Sequence, residues 1–236
     1  MDTLKLCIDI GNTSTKAAVY RGDSELEYIK SFTVKDYERI TANPCEVLVS
    51  KTGSYPELEA MLDSGDYLSH TTPLPIVLDY DTPHTLGRDR IATATAAYHM
   101  NPTSPWLIVD LGTCLTVDLL VDGVFLGGLI SPGVQMRLKA MHTFTAGLPL
   151  VGFNYDVRFP GKTTEQALQV GVCQSIGYEL EGYIRKMNAQ FPGLKIVDCS
   201  SVKIHFGNEV KNEIFARSKL VLQGLKNTIE YNAKNE

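Results

Sequence analysis

Two stretches of the chain share one pattern of chemistry-bearing residues. Residues 7–22 read CIDIGNTSTKAAVYRG and residues 108–123 read IVDLGTCLTVDLLVDG. An offset of 101 residues carries Asp9 onto Asp110, Gly11 onto Gly112, Thr15 onto Thr116 and Gly22 onto Gly123. In each copy an apolar run ends in an acid, a glycine and a small polar turn follow, and a second apolar run returns. That is a strand–turn–strand hairpin. Glycine lets backbone approach a ligand closely, and successive N–H groups with Thr and Ser hydroxyls form a concavity suited to phosphate oxygens. A single DxGNT is as readily an ordinary polar loop; the second copy favours the phosphate reading. Carboxylates at equivalent strand ends suit cation handling, because Mg²⁺ takes one or two carboxylates together with phosphate oxygens. No GxxxxGK[ST] occurs, so this is not a Walker-A site.

A third cluster of charged residues lies between the copies. Residues 79–100 read DYDTPHTLGRDRIATATAAYHM, and from Arg90 the composition is small and helix-compatible. Asp89 stands at the entry of that helix. It is either a helix cap, a role Asp favours, or a carboxylate at the helix mouth beside a substrate hydroxyl; the two are compatible. Arg88 and Arg90 flank it and either hold an anionic substrate or are solvated.

These residues need strands to carry them. The apolar runs at 4–10 and 107–110 each open a hairpin. The segment NPTSP at 101–105 has two prolines and marks a boundary just before the second copy. The expected domains are therefore 1–105 and 106–236, with the terminal helix able to return to the first. Gly127-Gly128 predicts tightly packed backbone or backbone facing a ligand. Residues 134–145 and a segment from Thr164 to about Lys186 have helical patterns, the latter with a Thr-x-x-[DEQ] start. Gly171, Gly177 and Gly182 are expected on or near one face of that second helix, where they would permit close contact, including across a dimer. A last helix is expected from about Val210 to Tyr231.

Composition narrows the function classes. The chain has 236 residues, 44% hydrophobic and 21% charged, with formal net charge −5. An acidic protein without a Lys/Arg cluster is a poor nucleic-acid partner, since that affinity comes from neutralising phosphates. Cys7, Cys45, Cys114, Cys173 and Cys199 are odd in number and form no CxxC pair. They read as free thiols of a reducing compartment rather than a disulfide frame or a zinc site. The five histidines have no metal-ligand spacing, and no GxSxG or Ser/His/Asp pattern stands out. No signal-peptide pattern and no apolar run near the ~20 residues of a membrane span occurs, so cytoplasmic localisation without a membrane partner is the expectation.

The duplicated hairpin implies an α/β protein of two similar actin/ribonuclease-H-like domains. Mixed sheets would be flanked by helices, with an active cleft between the domains. The motifs DIGNTSTK (9–16), YDTPHTLGRDR (80–90), VDLGTCLTVD (109–118), GVFLGGLISPG (123–133), LP (148–149) and GKTTEQALQVG (161–171) stand in order. Together they make the chain resemble the type III pantothenate kinases over nearly its whole length. The resemblance implies ATP-dependent phosphorylation of pantothenate to 4′-phosphopantothenate, the first step of coenzyme A biosynthesis. By residue, it implies that Asp9, Ile10, Gly11, Asn12, Thr13, Ser14, Thr15 and Lys16 form the ATP phosphate-binding segment, with Thr113 a further ATP contact. It implies that Asp110 holds an activating monovalent cation, K⁺ or NH₄⁺, and that Tyr80, Gly87, Arg88, Asp89, Arg90 and Thr164 form the pantothenate site. Asp89 matches the general base. A divalent cation such as Mg²⁺ accompanies ATP, and the family is a homodimer with pantothenate bound near the subunit interface. Arg88, Cys114 and the HFGN sequence at 205–208 depart from the family pattern; a TGG-like adenine-side turn was the expectation for the last. The alternatives are a non-catalytic nucleotide sensor of the same family and a polyphosphate phosphatase on the same plan, in which water replaces the hydroxyl acceptor.

Overall fold

The computed structural model describes residues 3–200 and 214–235. The HFGN turn at 205–208 and the start of the expected last helix lie outside them. The chain divides into two compact units. One comprises residues 1–103, 120–127 and 219–236, and the other residues 104–119 and 128–218.

The first unit is built on a four-stranded sheet. Strands β1 (Leu4–Ile10) and β2 (Thr15–Arg21) form an antiparallel hairpin in which Asp9 faces Lys16. Strand β3 (Ser24–Ile29) extends it, and β4 (Cys45–Lys51) pairs parallel to β1 on the other side, giving the order β3-β2-β1-β4. Helix α1 (Val34–Thr41) provides the β3–β4 crossover. Its start is fixed by a capping box in which Thr33 and Asp36 satisfy each other's backbone N–H groups. Helix α2 (Pro56–Glu59) has proline in its first turn, where the missing N–H is harmless. Leu6, Ile8, Ile10, Ala17, Val19, Phe32, Ile40, Val49 and Leu58 form the core on this sheet.

Helix α3 (Arg88–Met100) follows Gly87 and stops before Pro102. It is buried from Arg90 through Ala97, on all sides, and its alanines and threonines make that possible. The threonine hydroxyls are satisfied within the helix, Thr95 by the Ile91 carbonyl at 3.0 Å and Thr93 by the Arg90 carbonyl at 3.1 Å. The partner is the last helix, α6 (Leu220–Asn232). The crossing is so close that a Cβ on Gly224 would lie 1.8 Å from the Ala92 carbonyl oxygen. Within the described residues the terminal helix runs from Leu220.

The second sheet has the order β10-β9-β6-β7-β8-β5. Strands β6 (Trp106–Leu111), β7 (Cys114–Val121) and β8 (Val124–Pro132) are consecutive, and β9 (Lys195–Asp198) runs parallel to β6. The order β8-β7-β6-β9 therefore repeats β3-β2-β1-β4, so the duplication extends from the hairpins to whole sheets. The β7–β8 turn is Asp122-Gly123, with φ +51° and +74°. Both central residues are left-handed, as a type I′ hairpin requires. Strand β10 (Ile214–Ala216) adds parallel to β9, and β5 (Val77–Leu78) adds parallel to the first residues of β8.

In the second unit α4 (Val134–Phe144) and α5 (Thr164–Gln190) supply helical cover. Thr163 caps α5 by accepting the Gln166 N–H at 3.1 Å. The buried stripe Leu168, Val172, Ile176, Leu180, Ile184 repeats every fourth residue, as one helix face requires. The expected shared face of three glycines is not formed. Gly177 is buried, whereas Gly171 and Gly182 are exposed with open space where a Cβ would stand. Six residues separate Gly171 from Gly177, which at 3.6 per turn swings the second glycine to the buried side. Among the described residues, no helix is long and apolar enough to cross a membrane.

Candidate active site

The first loop is set by three strands. Asp9 is the penultimate residue of β1, with Lys16 opposite on β2 and Ser50 opposite on β4. The turn closes through Gly11 N–H to the Ser14 carbonyl at 3.2 Å. The N–H groups of Thr52 and Gly53 both donate to the Ile10 carbonyl, at 2.9 and 2.8 Å. A Cβ on Gly53 would fall 2.1 Å from the Gly11 carbonyl oxygen, so glycine at 53 is a condition of this close approach. Ile10 is buried below the loop, while Asn12, Thr13 and Ser14 are exposed on its tip and Thr15 is half-buried.

Asp9 is chemically perturbed. Its Oδ1 is buried without a hydrogen-bond partner, and so is Ser50 Oγ. Burial, and then the charge of Asp89, push the Asp9 carboxyl up to about 6, countered in part by Lys16 and the neighbouring Ser50 hydroxyl. An orphaned carboxylate oxygen beside an orphaned hydroxyl fits a hard, oxygen-preferring cation. Among the described residues, no group of three or more His, Cys, Asp or Glu could hold a metal ion by itself. Mg²⁺, which takes few protein ligands and relies on phosphate oxygens, suits that composition.

Gly87, not Asp89, occupies the N-cap of α3 and makes no side-chain cap. Asp89 lies within the first turn, where its Oδ1 accepts the Arg90 N–H at 2.8 Å. It therefore satisfies one orphan donor of the helix from within the first turn rather than from the N-cap position the sequence suggested. A Cβ on Gly87 would stand 2.5 Å from Asp89 Oδ1, so glycine leaves the carboxylate its room. Burial raises the Asp89 carboxyl above the ordinary carboxylate range, opposed by the Arg90 backbone N–H and guanidinium.

The two flanking arginines separate. Arg88 turns away to backbone, its Nε donating to the Leu68 carbonyl at 2.6 Å and a terminal nitrogen to the Lys51 carbonyl at 3.3 Å. It ties the end of β4 to the start of α3. Arg90 is only 6% exposed, and its guanidinium carbon lies 5.9 Å from the Tyr80 ring centre and 5.7 Å from that of Phe125. Those distances are within cation–π range. Gly127, at φ +88°, passes beneath Tyr80, where a Cβ would meet the ring at 3.5 Å. Tyr80, Gly87, Asp89, Arg90, Phe125 and Gly127 thus belong to one unit with the first loop.

The second loop repeats this construction in its own unit. Asp110 is again the penultimate strand residue. Gly112 N–H donates to the Cys114 carbonyl at 2.8 Å, and Gly133 N–H donates to the Thr113 carbonyl at 3.1 Å. A Cβ on Gly133 would lie 2.4 Å from the Gly112 carbonyl oxygen, as Gly53 would against Gly11. Arg137 braces that glycine from α4 by donating to the Pro132 carbonyl at 2.7 Å and pairing with Glu179 at 2.7 Å. Gly128 packs on Val117 and Asp118, its would-be Cβ 2.1 Å from the Val117 carbonyl oxygen. Thr164 is exposed on the first turn of α5, also in this unit.

Ser50, Gly53, Asp198 and Ser200 did not stand out in the sequence. The signal for Gly53 was a glycine just after a strand. Ser50 was visible as the hydroxyl closing the otherwise apolar run VLVS.

A model of the type III pantothenate kinase family matches residues 66–186. A relative of that name from Christiangramia forsetii is 36% identical over 240 residues, covering 97% of this chain and 99% of its own. Another from Bacteroides fragilis is 37% identical over 239 residues, covering 97% and 98%. The chain belongs to the type III pantothenate kinase family.

Solved structures agree on the fold of this type III pantothenate kinase. A Baf-family protein from Campylobacter jejuni, described as a transcriptional activator, aligns with TM-score 0.58 at 20% identity over 97% of this chain and 99% of its own. A 2-dehydro-3-deoxygalactonokinase from Sinorhizobium meliloti aligns with TM-score 0.54 at 13% identity over 96% of each chain. MreB5 of Spiroplasma citri, bound to ADP, reaches 0.50 at 10% identity over 99% of each. The type III pantothenate kinase chain thus has the two-domain, actin-like α/β fold. The family match takes in Tyr80, Gly87–Arg90, Asp110, Thr113 and Thr164, and the relatives extend the likeness through the Asp9 loop.

Proposed function

We propose that this family member phosphorylates pantothenate with ATP, giving 4′-phosphopantothenate and ADP. The observation that carries the reading is Asp89: a half-buried carboxylate with raised proton affinity, anchored through one oxygen at a helix mouth, in the same unit as a phosphate-type loop. The primary hydroxyl of pantothenate loses its proton to Asp89 Oδ2 while its oxygen bonds to the γ-phosphorus. The bond from that phosphorus to the β–γ bridging oxygen breaks, and ADP leaves with the electron pair. A carboxylate within hydrogen-bond reach of the attacking hydroxyl is suited to this proton transfer.

Asp9 through Lys16 would cradle the ATP phosphates, with Thr113 a further contact. Asp9, with Ser50 beside it, would hold the divalent cation, directly or through water. A cation there offsets charge on the phosphates. Asp110 would hold the activating K⁺ or NH₄⁺. Tyr80, Gly87, Arg90 and Thr164 would bind pantothenate, with the Arg90 guanidinium toward its carboxylate. Arg88, committed to two backbone carbonyls, would shape the site rather than touch substrate. The proposed homodimer would use the exposed face of α5, where Tyr178 is 64% exposed between Gly171 and Gly182.

The decisive experiment incubates purified protein with ATP, Mg²⁺ and pantothenate in K⁺ and then in Na⁺, following ADP and phosphorylated pantothenate. Equimolar formation of both, faster in K⁺, is expected. ATP hydrolysis to free phosphate without a phosphorylated product would sink the reading.

A further inference from the structure

Within the second unit, a serine and an acid far along the chain hold the backbone of the second loop. Ser200 Oγ accepts the Leu111 N–H at 2.7 Å. The same hydroxyl donates to Asp198 Oδ1, and Ser200 N–H donates to that oxygen at 2.9 Å. The carboxylate thus receives two bonds from one residue. It fixes both the backbone and the hydroxyl of Ser200, committing the hydroxyl hydrogen to Asp198 and turning a lone pair toward Leu111. The N–H that Ser200 holds belongs to the peptide joining Asp110 to Leu111. Leu111 is fully buried, so removing the hydroxyl takes a hydrogen-bond partner from a shielded N–H.

The strand pairing explains why these residues reach the loop. Strand β9 runs parallel to β6 with Val109 opposite Asp198. Cys199 N–H continues the ladder to the Val109 carbonyl at 2.9 Å. Ser200 follows two residues after Asp198 and is therefore level with Leu111, where β6 turns into Gly112-Thr113. Burial raises the Asp198 carboxyl, and the two bonds from Ser200 oppose that shift. Such opposition is expected where a carboxylate is retained inside the protein to accept hydrogen bonds.

We propose that Asp198 and Ser200 are positioning residues for the second phosphate loop. They fix the Asp110–Leu111 peptide and through it the direction of the Asp110 carboxylate and the Thr113 backbone. Neither touches substrate. The proposal rests on the kinase reading above for its kinetic consequence, and on the hydrogen bonds alone for its structural one.

The test therefore has two readouts. Hydrogen exchange of the Leu111 amide is followed in the parent, Ser200→Ala, Ser200→Thr and Asp198→Ala. The same proteins are assayed for the KM of ATP and of pantothenate. Ser200→Ala is expected to lose Leu111 protection and to raise the ATP KM roughly tenfold, the scale of one buried hydrogen bond, with the pantothenate KM unchanged. Ser200→Thr keeps the hydroxyl and should restore both. Asp198→Ala leaves the serine but frees its hydroxyl to rotate, and serves as the second loss variant where Ser200→Ala folds poorly. Parent-like exchange at Leu111 in both loss variants overturns the positioning role. A pantothenate KM that rises in step with that of ATP also overturns it, in favour of general loosening. A parent that phosphorylates no pantothenate defeats the kinase reading, and the exchange result still decides the positioning.

Discussion

Asp9 and Ser50 face each other across the parallel β1–β4 pair, and Asp9 Oδ1 and Ser50 Oγ are both buried without a hydrogen-bond partner. A fold does not leave two such atoms together for its own stability, since each unsatisfied buried group costs roughly 1–3 kcal/mol. On the proposed reading, the pair would serve a cation that both oxygens can reach.

The Asp9→Asn variant measures what that readiness costs. The Asp9 carboxyl is raised from 3.8 to about 6 in the fold. The native state therefore holds the proton more tightly than the unfolded chain. Stability from this group is fully present below pH 3.8 and lost as pH rises through about 6. At pH 7.5 the ionised carboxylate opposes folding by on the order of 2–3 kcal/mol. Asparagine does not ionise, so urea unfolding should show the variant more stable at pH 7.5 and the gain shrinking at pH 5. Mg²⁺ with ATP should stabilise the parent and not the variant. A variant less stable than the parent at both pH values would contradict the assignment.

Asp89→Asn should separate chemistry from binding. The amide oxygen can still accept the Arg90 N–H, so the helix start is kept, and losing a buried charge whose proton affinity is raised should leave Tm unchanged or higher near neutral pH. Proton acceptance is lost, and kcat should fall by about 10²–10⁴, with nucleotide affinity near the parent's. In the parent, kcat should fall on the acid side as Asp89 takes up its proton. Burial places that limb above the ordinary carboxylate range. A pH–rate profile and a nucleotide titration check both points.

What could be read from the sequence was set by local pattern. The offset between Asp9 and Asp110 reveals the two hairpins because a strand end, a turn glycine and a returning strand are consecutive in the chain. The helix mouth at Gly87–Arg90 was legible for the same reason. The roles of Arg88 and Ser200 were not, because their partners lie far off in sequence. Arg88 reaches carbonyls 20 and 37 residues away, and Ser200 an N–H 89 residues away. The three glycines of α5 were misread for a different reason: small size was visible, but the helical phase separating Gly177 from Gly171 and Gly182 had to be counted.

Gly53→Ala should impair ATP binding without replacing any residue of the proposed Asp9–Lys16 cradle. The new methyl would sit 2.1 Å from the Gly11 carbonyl oxygen and 2.9 Å from the Asn12 nitrogen. Backbone cannot yield as a flexible side-chain tip can, so the first loop must shift. Overpacking of this kind costs about 1–3 kcal/mol. The ATP KM should rise well before the pantothenate KM does, and a nucleotide titration should show the same weakening. An unchanged ATP KM would mean that the loop's position is not what binds phosphate.

Gly224→Ala sets helix propensity against packing. In a free helix the change stabilises by up to about 1 kcal/mol. Here the added methyl would stand 1.8 Å from the Ala92 carbonyl oxygen and 2.5 Å from its carbon. The two helices must move apart, and α3 is the helix that carries Asp89 and Arg90. The buried stretch from Arg90 to Ala97 then loses its close neighbour, and the loss outweighs the propensity gain. Chemical denaturation should therefore show a net destabilisation of about 1–3 kcal/mol. kcat should fall along with stability, because the first turn of α3 moves relative to the Asp9 loop. Stabilisation by the alanine would show that the α3–α6 crossing is looser than the Gly224–Ala92 approach requires.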